Sequence, residues 1–164
     1  MDSVWHVHQI PPVYDRTSQI LILGSFPSVK SREDAFFYAH PQNRFWRVLS
    51  ALLDCPCPAS TEGKKRMLLQ RRIALWDVVQ SCRIAGSSDS SICDVTPNDL
   101  SPILAQAQIR AIYCGGSTAY RLYRRYLEPE TGRSAVCLPS TSAANAGCSF
   151  SELCRRWAVI LEQL

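Results

Sequence analysis

Residues 19–25 read QILILGS, and this short run decides the fold. Positions 20–23 carry consecutive branched aliphatic side chains, with no polar residue between them. A strand with one solvated face would alternate, so the pattern predicts a strand that is buried on both faces. Strands of this kind are typical of parallel sheets. The Phe-Pro pair at 26–27 marks the end of the strand.

Three further apolar runs have the same character: IALWDVV at 73–79, IRAIYCGG at 109–116 and SAVCLPS at 134–140. Two capping signals mark helix starts, Asn98-Asp99 and Ser149 with Glu152. The order of the elements, β-α-α-β-α-β-α-β-α, predicts a layered α/β fold. The helical patterns lie at 43–53, 62–72, 98–108, 117–127 and 149–164.

The composition limits the class of protein. A chain of 164 residues fits one domain, 1–164, that can bury a core. Apolar residues make up 46% and charged residues 20%, as in ordinary globular proteins. No apolar run reaches the ~18–20 residues of a membrane span, and the N-terminus lacks the pattern of a secretory signal. We therefore expect a cytoplasmic monomer; its formal charge of +4 is weak evidence for a polyanionic partner.

Eight cysteines are many for a cytosolic chain. Cys114 and Cys137 lie inside apolar runs, where cysteine acts as a small buried hydrophobe. The close pair Cys55 and Cys57 has one residue between its members, and no second pair lies at zinc-ribbon spacing. We therefore expect reduced thiols and no metal, and the role of the Cys55/Cys57 pair stays open.

Ligands of parallel α/β sheets bind beyond the carboxyl ends of the strands. At the first of these ends, Gly24 allows close approach to the backbone and Ser25 adds a hydroxyl, although an ordinary Gly-Pro turn has the same pattern. Asp77 is the best-placed acid, and two roles fit it equally: a catalytic role, and a structural one as a helix cap or ion-pair partner. The strand ends are Gly24 to Pro27, Trp76-Asp77, Cys114 to Gly116 and Leu138 to Ser140.

The segment FFYAHPQNRFW at 36–46 combines aromatic rings with polar groups. Five of its eleven residues are aromatic, whereas the whole chain is 9% aromatic. A core strand has no use for His40, Gln42, Asn43 and Arg44, and a solvated loop has no use for the rings. A pocket for a flat, polar, aromatic ligand uses both, and a nucleobase is such a ligand.

The last strand end leads into PSTSAANAG at 139–147, a run of small and polar residues. Two interpretations fit it equally: a flexible surface loop, and a loop whose hydroxyls and Asn145 bind phosphates. Signals for a covalent nucleophile are missing, since there is no GxSxG elbow. None of the three lysines, Lys30, Lys64 and Lys65, lies in the apolar setting that Schiff-base chemistry requires.

Four segments in this order carry a resemblance: GSFPS at 24–28, FFYAHPQNRFW at 36–46, LWDVVQSCRIAGSSDSSI at 75–92 and LPSTSAANA at 138–146. Through them the chain from Pro11 onward resembles the uracil-DNA glycosylase superfamily, and most of all its hypoxanthine-DNA (deoxyinosine) glycosylase branch. The part AHPQNRFW is also similar to the mismatch-specific uracil-DNA glycosylases. The resemblance implies a three-layer α/β/α fold with a small central, mainly parallel sheet. It also implies that the protein flips a deoxynucleotide out of DNA and hydrolyses its N-glycosidic bond without a metal or other cofactor.

The resemblance assigns roles to single residues. Asn43 matches the principal catalytic residue, whose carboxamide can hold a water through its oxygen and donate to the base through its nitrogen. Tyr38, or Phe37 beside it, matches the aromatic residue on which the flipped base stacks. The backbone amides around Ser25 and Phe26 would receive the carbonyl groups of the base and stabilise its developing charge.

Other residues complete the implied site. Gly24 and His40 belong to the base-binding wall, and Asp77 is a supporting group. The better-known branches carry Asp or Asn where this chain has residues 25–28, so the chemistry shifts to Asn43 and strong uracil activity is not expected. Alanine stands where the branch usually has proline, so a less rigid DNA-binding loop is expected. That loop comprises Ser140, Thr141, Ser142, Ala143, Ala144 and Asn145.

These features predict a monofunctional DNA glycosylase for deaminated bases, hypoxanthine first and then uracil or xanthine, which would start base excision repair. Its partner would be double- or single-stranded DNA, with nucleoid association in a bacterium. Three alternatives stay open: a uracil or mismatch-specific glycosylase, a catalytically silent nucleic-acid-binding module, and a small nucleoside hydrolase. Basic residues favour a polymer over a free nucleoside. They are Arg44, Arg47, Arg71, Arg72, Arg121, Arg124 and Arg125.

Overall fold

The computed structural model describes residues 2–164, which form seven strands and seven α-helices. No helix in this part of the chain is long and apolar enough to cross a bilayer. The strands are β1 (Val4–Val7), β2 (Ile20–Gly24), β3 (Ile73–Asp77), β4 (Val79–Ile84), β5 (Cys93–Pro97), β6 (Ala111–Gly115) and β7 (Val136–Leu138). The helices are α1 (Val29–Asp34), α2 (Phe45–Leu53), α3 (Thr61–Gln70), α4 (Ser101–Gln106), α5 (Ser117–Tyr126), α6 (Glu128–Thr131) and α7 (Phe150–Trp157), with 3₁₀ turns at Asp89–Ser91 and Ala158–Gln163.

Four strands form one parallel sheet in the order β3-β2-β6-β7. All residues of β2 are buried, as the continuous apolar run predicts. Ile20 and Ile22 pack into a core shared with α2, α3 and α7. Leu21 and Leu23 pack on the opposite face into a core shared with α4 and α5. The predicted three-layer α/β/α fold is therefore confirmed.

A second, antiparallel sheet has the order β1-β4-β5 and was not predicted. The strand predicted at 73–79 ends at Asp77, and a break at Val78 separates β3 from β4. The N–H of Val78 bonds the carbonyl of Gly24, after which the chain changes partner and Val79 pairs with Pro97. Apolar residues on both sides of the break conceal this change in the sequence pattern. The break leaves Asp77 at a strand end.

One of the two predicted capping signals is confirmed, and in the other only Asp99 bonds the helix, since its Oδ1 accepts the N–H of Ser101 at the start of α4. The hydroxyl of Ser149 accepts a hydrogen bond from the N–H of Glu152 at the start of α7. Asn98, by contrast, lies before α4 and does not cap it. Its buried side chain donates to the carbonyls of Asp77 and Val79 and so ties the end of β5 to the break between β3 and β4.

The eight cysteines are all free thiols. Burial raises the pKa of Cys82 to about 11 and that of Cys114 to about 12, so both stay protonated at neutral pH. The sulfur of Cys55 lies 3.7 Å from that of Met67, whereas Cys57 is exposed. The members of the close pair therefore lie in different surroundings.

Candidate active site

The carboxyl ends of the parallel strands border one cavity of about 840 Å³. The register pairs Gly24 with Asp77 and Gly115 with Leu138, so the strands end at a common level. The cavity therefore lies at the sheet edge where the sequence predicts a ligand. All residues predicted for the site line it: Gly24, Ser25, Phe26, Phe37, Tyr38, His40, Asn43, Asp77, Ser140, Thr141, Ser142, Ala143, Ala144 and Asn145.

Tyr38 forms an aromatic wall of the cavity. Its ring stacks on Phe45, with ring centroids 4.0 Å apart and planes inclined by 15°. Burial, and then the charges of Asp77 and Asp89, raise the pKa of the phenol well above its ordinary value, so it stays neutral. The other candidate for stacking, Phe37, is only 2% exposed, and Tyr38 presents more of its surface to the cavity.

Gly24 and Asp77 form the floor of the cavity. A Cβ on Gly24 would lie 2.5 Å from Oδ1 of Asp77 and 3.0 Å from the hydroxyl of Tyr38. These separations are too short for a methyl group, so only glycine lets the carboxylate and the phenol approach the end of β2. Gly24 was predicted to let a ligand approach the backbone closely. In the structure, the groups that approach it are the side chains of Asp77 and Tyr38.

The carboxamide of Asn43 is held by two hydrogen bonds to its oxygen. The N–H of Phe45 donates to Oδ1 at 2.9 Å and the hydroxyl of Thr141 donates at 2.8 Å. Because a backbone N–H can only donate, the atom that faces it is the oxygen, which leaves Nδ2 on the other side. Both lone pairs of the oxygen are used, so the expected water-holding role of Oδ1 does not fit this arrangement. Among residues 2–164, no protein acceptor binds Nδ2, which can donate into the cavity.

His8 is a site residue that was not predicted. Its Nε2 lies 2.8 Å from Oδ2 of Asp77, and its side chain is 1% exposed. The N–H of Ile10 donates to Nδ1, so the proton of the neutral ring is on Nε2 and points at the carboxylate. Phe26 and Trp76 pack edge-on against the ring. No local pattern marks His8, because its partner lies 69 residues away and the resemblance begins only at Pro11.

Asp89 is a second residue that was not predicted. It lines the cavity from the 3₁₀ turn, and its Oδ1 accepts a hydrogen bond from the hydroxyl of Ser25 at 2.8 Å. The side chain is open to solvent on one side, yet partial burial by the cavity walls raises the pKa of its carboxyl, and the charge of Asp77 adds to this effect. One feature of the sequence could have indicated Asp89: it lies in the polar run SSDSS at 87–91, inside one of the segments that carry the resemblance.

Arg44 holds the loop at 141–148 against α2. Its guanidinium donates to the carbonyl oxygens of Thr141, Ser142, Asn145 and Cys148. The backbone N–H of Arg44 also bonds the carbonyl of Thr141, at 3.0 Å. The interpretation of this run as a flexible surface loop is therefore wrong. Arg44, which was counted among the residues that favour a polymer, is occupied inside the protein.

The side chains of the loop differ in what they offer a ligand. The hydroxyl of Thr141 points inward, and Nδ2 of Asn145 donates to the carbonyl of Ser140 at 3.0 Å. The hydroxyls of Ser140 and Ser142 accept backbone N–H groups and keep their own protons free to donate. Phosphate binding by side chains of this loop can therefore use these two serines and the second N–H of the Asn145 amide, but not the hydroxyl of Thr141.

The arginines lie in different parts of the molecule. Arg71 and Arg72 directly precede β3 and so lie at the amino edge of the sheet, opposite the cavity. Arg121 lies on α5 and does not line the cavity, although its charge lowers the pKa of Asp89 against the larger effect of burial. Arg156, which was not predicted, lines the cavity.

The chain matches one family model, described as the uracil DNA glycosylase superfamily, over residues 11–160. A curated hypoxanthine DNA glycosylase of Methanosarcina acetivorans is 35% identical over 136 residues, or 82% of this chain and 85% of that protein. A second, of Methanosarcina barkeri, is 35% identical over 92 residues, or 56% of this chain and 58% of that protein.

A solved structure has the same fold. It is the solution NMR structure of a Methanosarcina acetivorans protein that is provisionally described as a uracil DNA glycosylase. It superimposes with a TM-score of 0.77 at 33% identity, over 92% of this chain and 96% of that one. The likeness therefore extends over most of both chains.

Proposed function

The chain belongs to the uracil DNA glycosylase superfamily, and from this premise we propose that it removes hypoxanthine from DNA, with uracil and xanthine as weaker substrates. It is a DNA glycosylase for deaminated bases, and its substrate is DNA. One observation carries the finer proposal: the free amide nitrogen of Asn43 and the ring of Tyr38 line the same cavity at the carboxyl edge of the sheet. The names of the curated relatives support hypoxanthine as the first substrate.

Capture of the base depends on the aromatic wall. A base inside a duplex is out of reach, so the nucleotide rotates out of the helix into the cavity. The ring of Tyr38, backed by Phe45, offers a flat surface that is already in place. Stacking of a base on an aromatic side chain contributes roughly 1–3 kcal/mol, which offsets part of the cost of unstacking.

Cleavage of the N-glycosidic bond sends its electron pair to the base and leaves positive charge on the sugar carbon C1′. Nδ2 of Asn43 donates to the departing base, and the backbone amides around Ser25 and Phe26 add donors. The carboxylate of Asp77, oriented by His8, lies at the cavity floor and counters the charge on the sugar. Water adds to C1′, its hydroxyl stays on the sugar, and its proton balances the charge of the released base.

The position of the lysines supports a monofunctional reaction. An amine nucleophile would form an imine with the sugar and break the DNA strand, but no lysine of residues 2–164 lines the cavity. Burial does lower the pKa of Lys64, contrary to expectation, but its ammonium lies over the ring of Trp46, 5.2 Å from the centroid. The product is therefore an intact strand with an abasic site.

The DNA is held at the cavity rim. The free hydroxyl protons of Ser140 and Ser142 bind phosphates, and Ala143 and Ala144 form an exposed tip that presses against the groove. We propose duplex DNA as the substrate and a monomer as the active species. Binding by phosphate contacts weakens as salt is added, and a hydrolase of free nucleosides would not show this dependence.

The test is an alkaline strand-nicking assay with EDTA. Four labelled duplexes carry one deoxyinosine, deoxyuridine, deoxyxanthosine or undamaged deoxyadenosine at the same position. We expect nicking of the inosine duplex after alkali only, with slower nicking of the other two damaged duplexes and none of the undamaged one. Faster nicking at uridine would overturn the substrate ranking. DNA binding without abasic product from any duplex would identify a silent module.

A further inference from the structure

The Thr141 side chain faces Asn43 and not the solvent. Thr141 is 4% exposed although its loop neighbours Ala143 and Ala144 are exposed. Its hydroxyl donates to Oδ1 of Asn43 at 2.8 Å, across 98 residues of sequence. With the N–H of Phe45 on the same oxygen, two donors from different elements define the plane of the carboxamide. Because its proton is donated to a site residue, this hydroxyl is not available to donate to a phosphate.

Arg44 keeps Thr141 in this position. Its backbone N–H and its Nε bond the carbonyl of Thr141, at 3.0 and 3.4 Å, and its guanidinium also bonds that of Ser142, at 3.0 Å. Asn43 and Arg44 are adjacent. Asn43 accepts a hydrogen bond from the loop, and Arg44 donates several hydrogen bonds to it. The loop and the amide are therefore one connected unit.

We propose that Thr141 is a positioning residue that directs the amide nitrogen of Asn43 toward the departing base. This inference rests on the proposed function. Without the hydroxyl, only the N–H of Phe45 holds the oxygen, so the carboxamide can swing out of its plane and carry Nδ2 away from the base. The N–H of Phe45 sets which end of the amide faces the cavity, and the bond from Thr141 fixes the direction of that end. It also excludes the oxygen of Asn43 as the group that holds the attacking water.

The experiment compares Thr141→Val, which removes the hydroxyl at nearly constant volume, with Thr141→Ser, which keeps it. Single-turnover base release from an inosine duplex at saturating enzyme, and the dissociation constant for that duplex, are measured for both. We expect Thr141→Val to release the base roughly tenfold more slowly, as for loss of one hydrogen bond, at unchanged DNA affinity. Thr141→Ser should restore most of the rate. Thr96→Val, at an exposed position in β5, is the control and should match the wild type.

A double-mutant cycle separates positioning from a general structural effect. Thr141→Val should have no further effect in an Asn43→Ala background, because the amide it orients is absent. Equal rates for Thr141→Val and wild type, equal loss in the valine and serine variants, or the same loss with and without Asn43 would each overturn the inference. If the valine variant melts near the assay temperature, Thr141→Ala removes the hydroxyl without adding a methyl group. A wild type that releases no base from any duplex would instead overturn the proposed function, and the inference with it.

Discussion

Tyr38 combines a left-handed backbone, with φ at 51°, and a ring that lies flat on another ring. Residues other than glycine rarely adopt this conformation, and such strain is concentrated at functional positions. Packing on Phe45 holds the ring in place before a ligand arrives. A base that stacks there meets a preformed surface, so less conformational entropy is lost on binding.

Tyr38→Ala should weaken capture of the flipped base, because the stacking surface is lost. We expect the excision rate at limiting enzyme to fall by about 5- to 150-fold, the equivalent of roughly 1–3 kcal/mol of stacking. Tyr38→Phe keeps the ring and should stay close to the wild type. Tyr126→Ala, outside the cavity, is the control. An unchanged rate for Tyr38→Ala would mean that the base does not stack on this residue.

Gly24→Ala should destabilise the protein. The added methyl would lie 2.5 Å from Oδ1 of Asp77, and overpacking of this kind costs typically about 1–3 kcal/mol. Urea unfolding should show a lower midpoint. Gly147→Ala is the matched control, since a Cβ there meets nothing within 4 Å. Equal midpoints for the two variants would contradict the close approach of Asp77 to β2.

The sequence allowed prediction of the residues around the cavity but not of their bonds. Residue types at strand ends indicated Gly24 and Asp77, because strand ends meet at one edge whatever the details, and Asn43 was indicated by the aromatic-polar segment and the resemblance. The bonds of His8 to Asp77 and of Thr141 to Asn43 span 69 and 98 residues and leave no local pattern. The role of an amide depends on which of its ends is already bonded, and only the structure shows this.

At the scale of elements, the segment after β7 is ordered by one arginine. The small and polar residues of this segment fitted a flexible loop and a phosphate-binding loop equally well. The sequence did not show that a side chain from elsewhere in the chain binds the carbonyl groups of the segment. The guanidinium of Arg44 supplies that partner for several carbonyls, which an irregular segment cannot pair by itself. The loop is therefore ordered before any ligand binds.

Arg44→Met should loosen this loop while leaving the parallel sheet intact. The guanidinium is a charged donor, and hydrogen bonds of this kind contribute about 1.5–3 kcal/mol each. We expect amide hydrogens of residues 142–148 to exchange at least about tenfold faster, with little change in β2 or β6. Arg47→Met, in the next turn of α2 and exposed, is the control. Unchanged exchange in the loop would show that Arg44 does not order it.

The strands that were predicted and those that were missed differ in their apolar pattern and not simply in burial, since Val136 and Cys137 of β7 are exposed, contrary to expectation. β2, β3, β6 and β7 form the parallel sheet, and most of their residues lie in continuous apolar runs. β1 is largely exposed, with Trp5 at 48%, and β5 has few apolar residues, so neither has the pattern of a core strand. β4 was merged with β3 because Val78 and Val79 continue the apolar run across the change of sheet.

At the scale of the whole molecule, the cavity makes stability depend on pH. Burial raises the pKa of Asp89, so the unfolded chain loses this proton first as pH rises above about 4. The contribution of Asp89 is therefore most favourable below that pH and is lost as pH rises through the folded pKa. Asp89→Asn removes this penalty and should melt higher than wild type at pH 7, and the difference should vanish on acidification to pH 4 and below.

Asp99 provides a control of opposite sign. Hydrogen bonds from the hydroxyl and the N–H of Ser101 lower the pKa of its carboxyl. Its contribution is present above the unfolded pKa and is lost as pH falls through the folded pKa. Asp99→Asn should therefore melt slightly lower than wild type at pH 7, with no difference at low pH. Melting curves that shift in the same direction for both variants would contradict these assignments.

The position of the site follows from the fold of the whole chain. A parallel sheet brings the carboxyl ends of distant segments to one edge, so residues from 24 to 157 meet in a single cavity. The aromatic segment follows β2 and α1, and the loop at 140–145 follows β7, so they come from different strands of this edge. Arg44 and Thr141 join them, which connects the loop proposed to contact DNA to the amide proposed to contact the base.

The most direct test of this account is the single-turnover rate of base release from an inosine duplex for Asn43→Ala. The account predicts a fall of about 100- to 1000-fold, as for loss of one donor to a developing negative charge, with duplex affinity close to that of the wild type. Thermal melting verifies that the variant is folded. Base release at the wild-type rate by a folded Asn43→Ala protein would contradict the assignment of Asn43 as the group that drives the reaction.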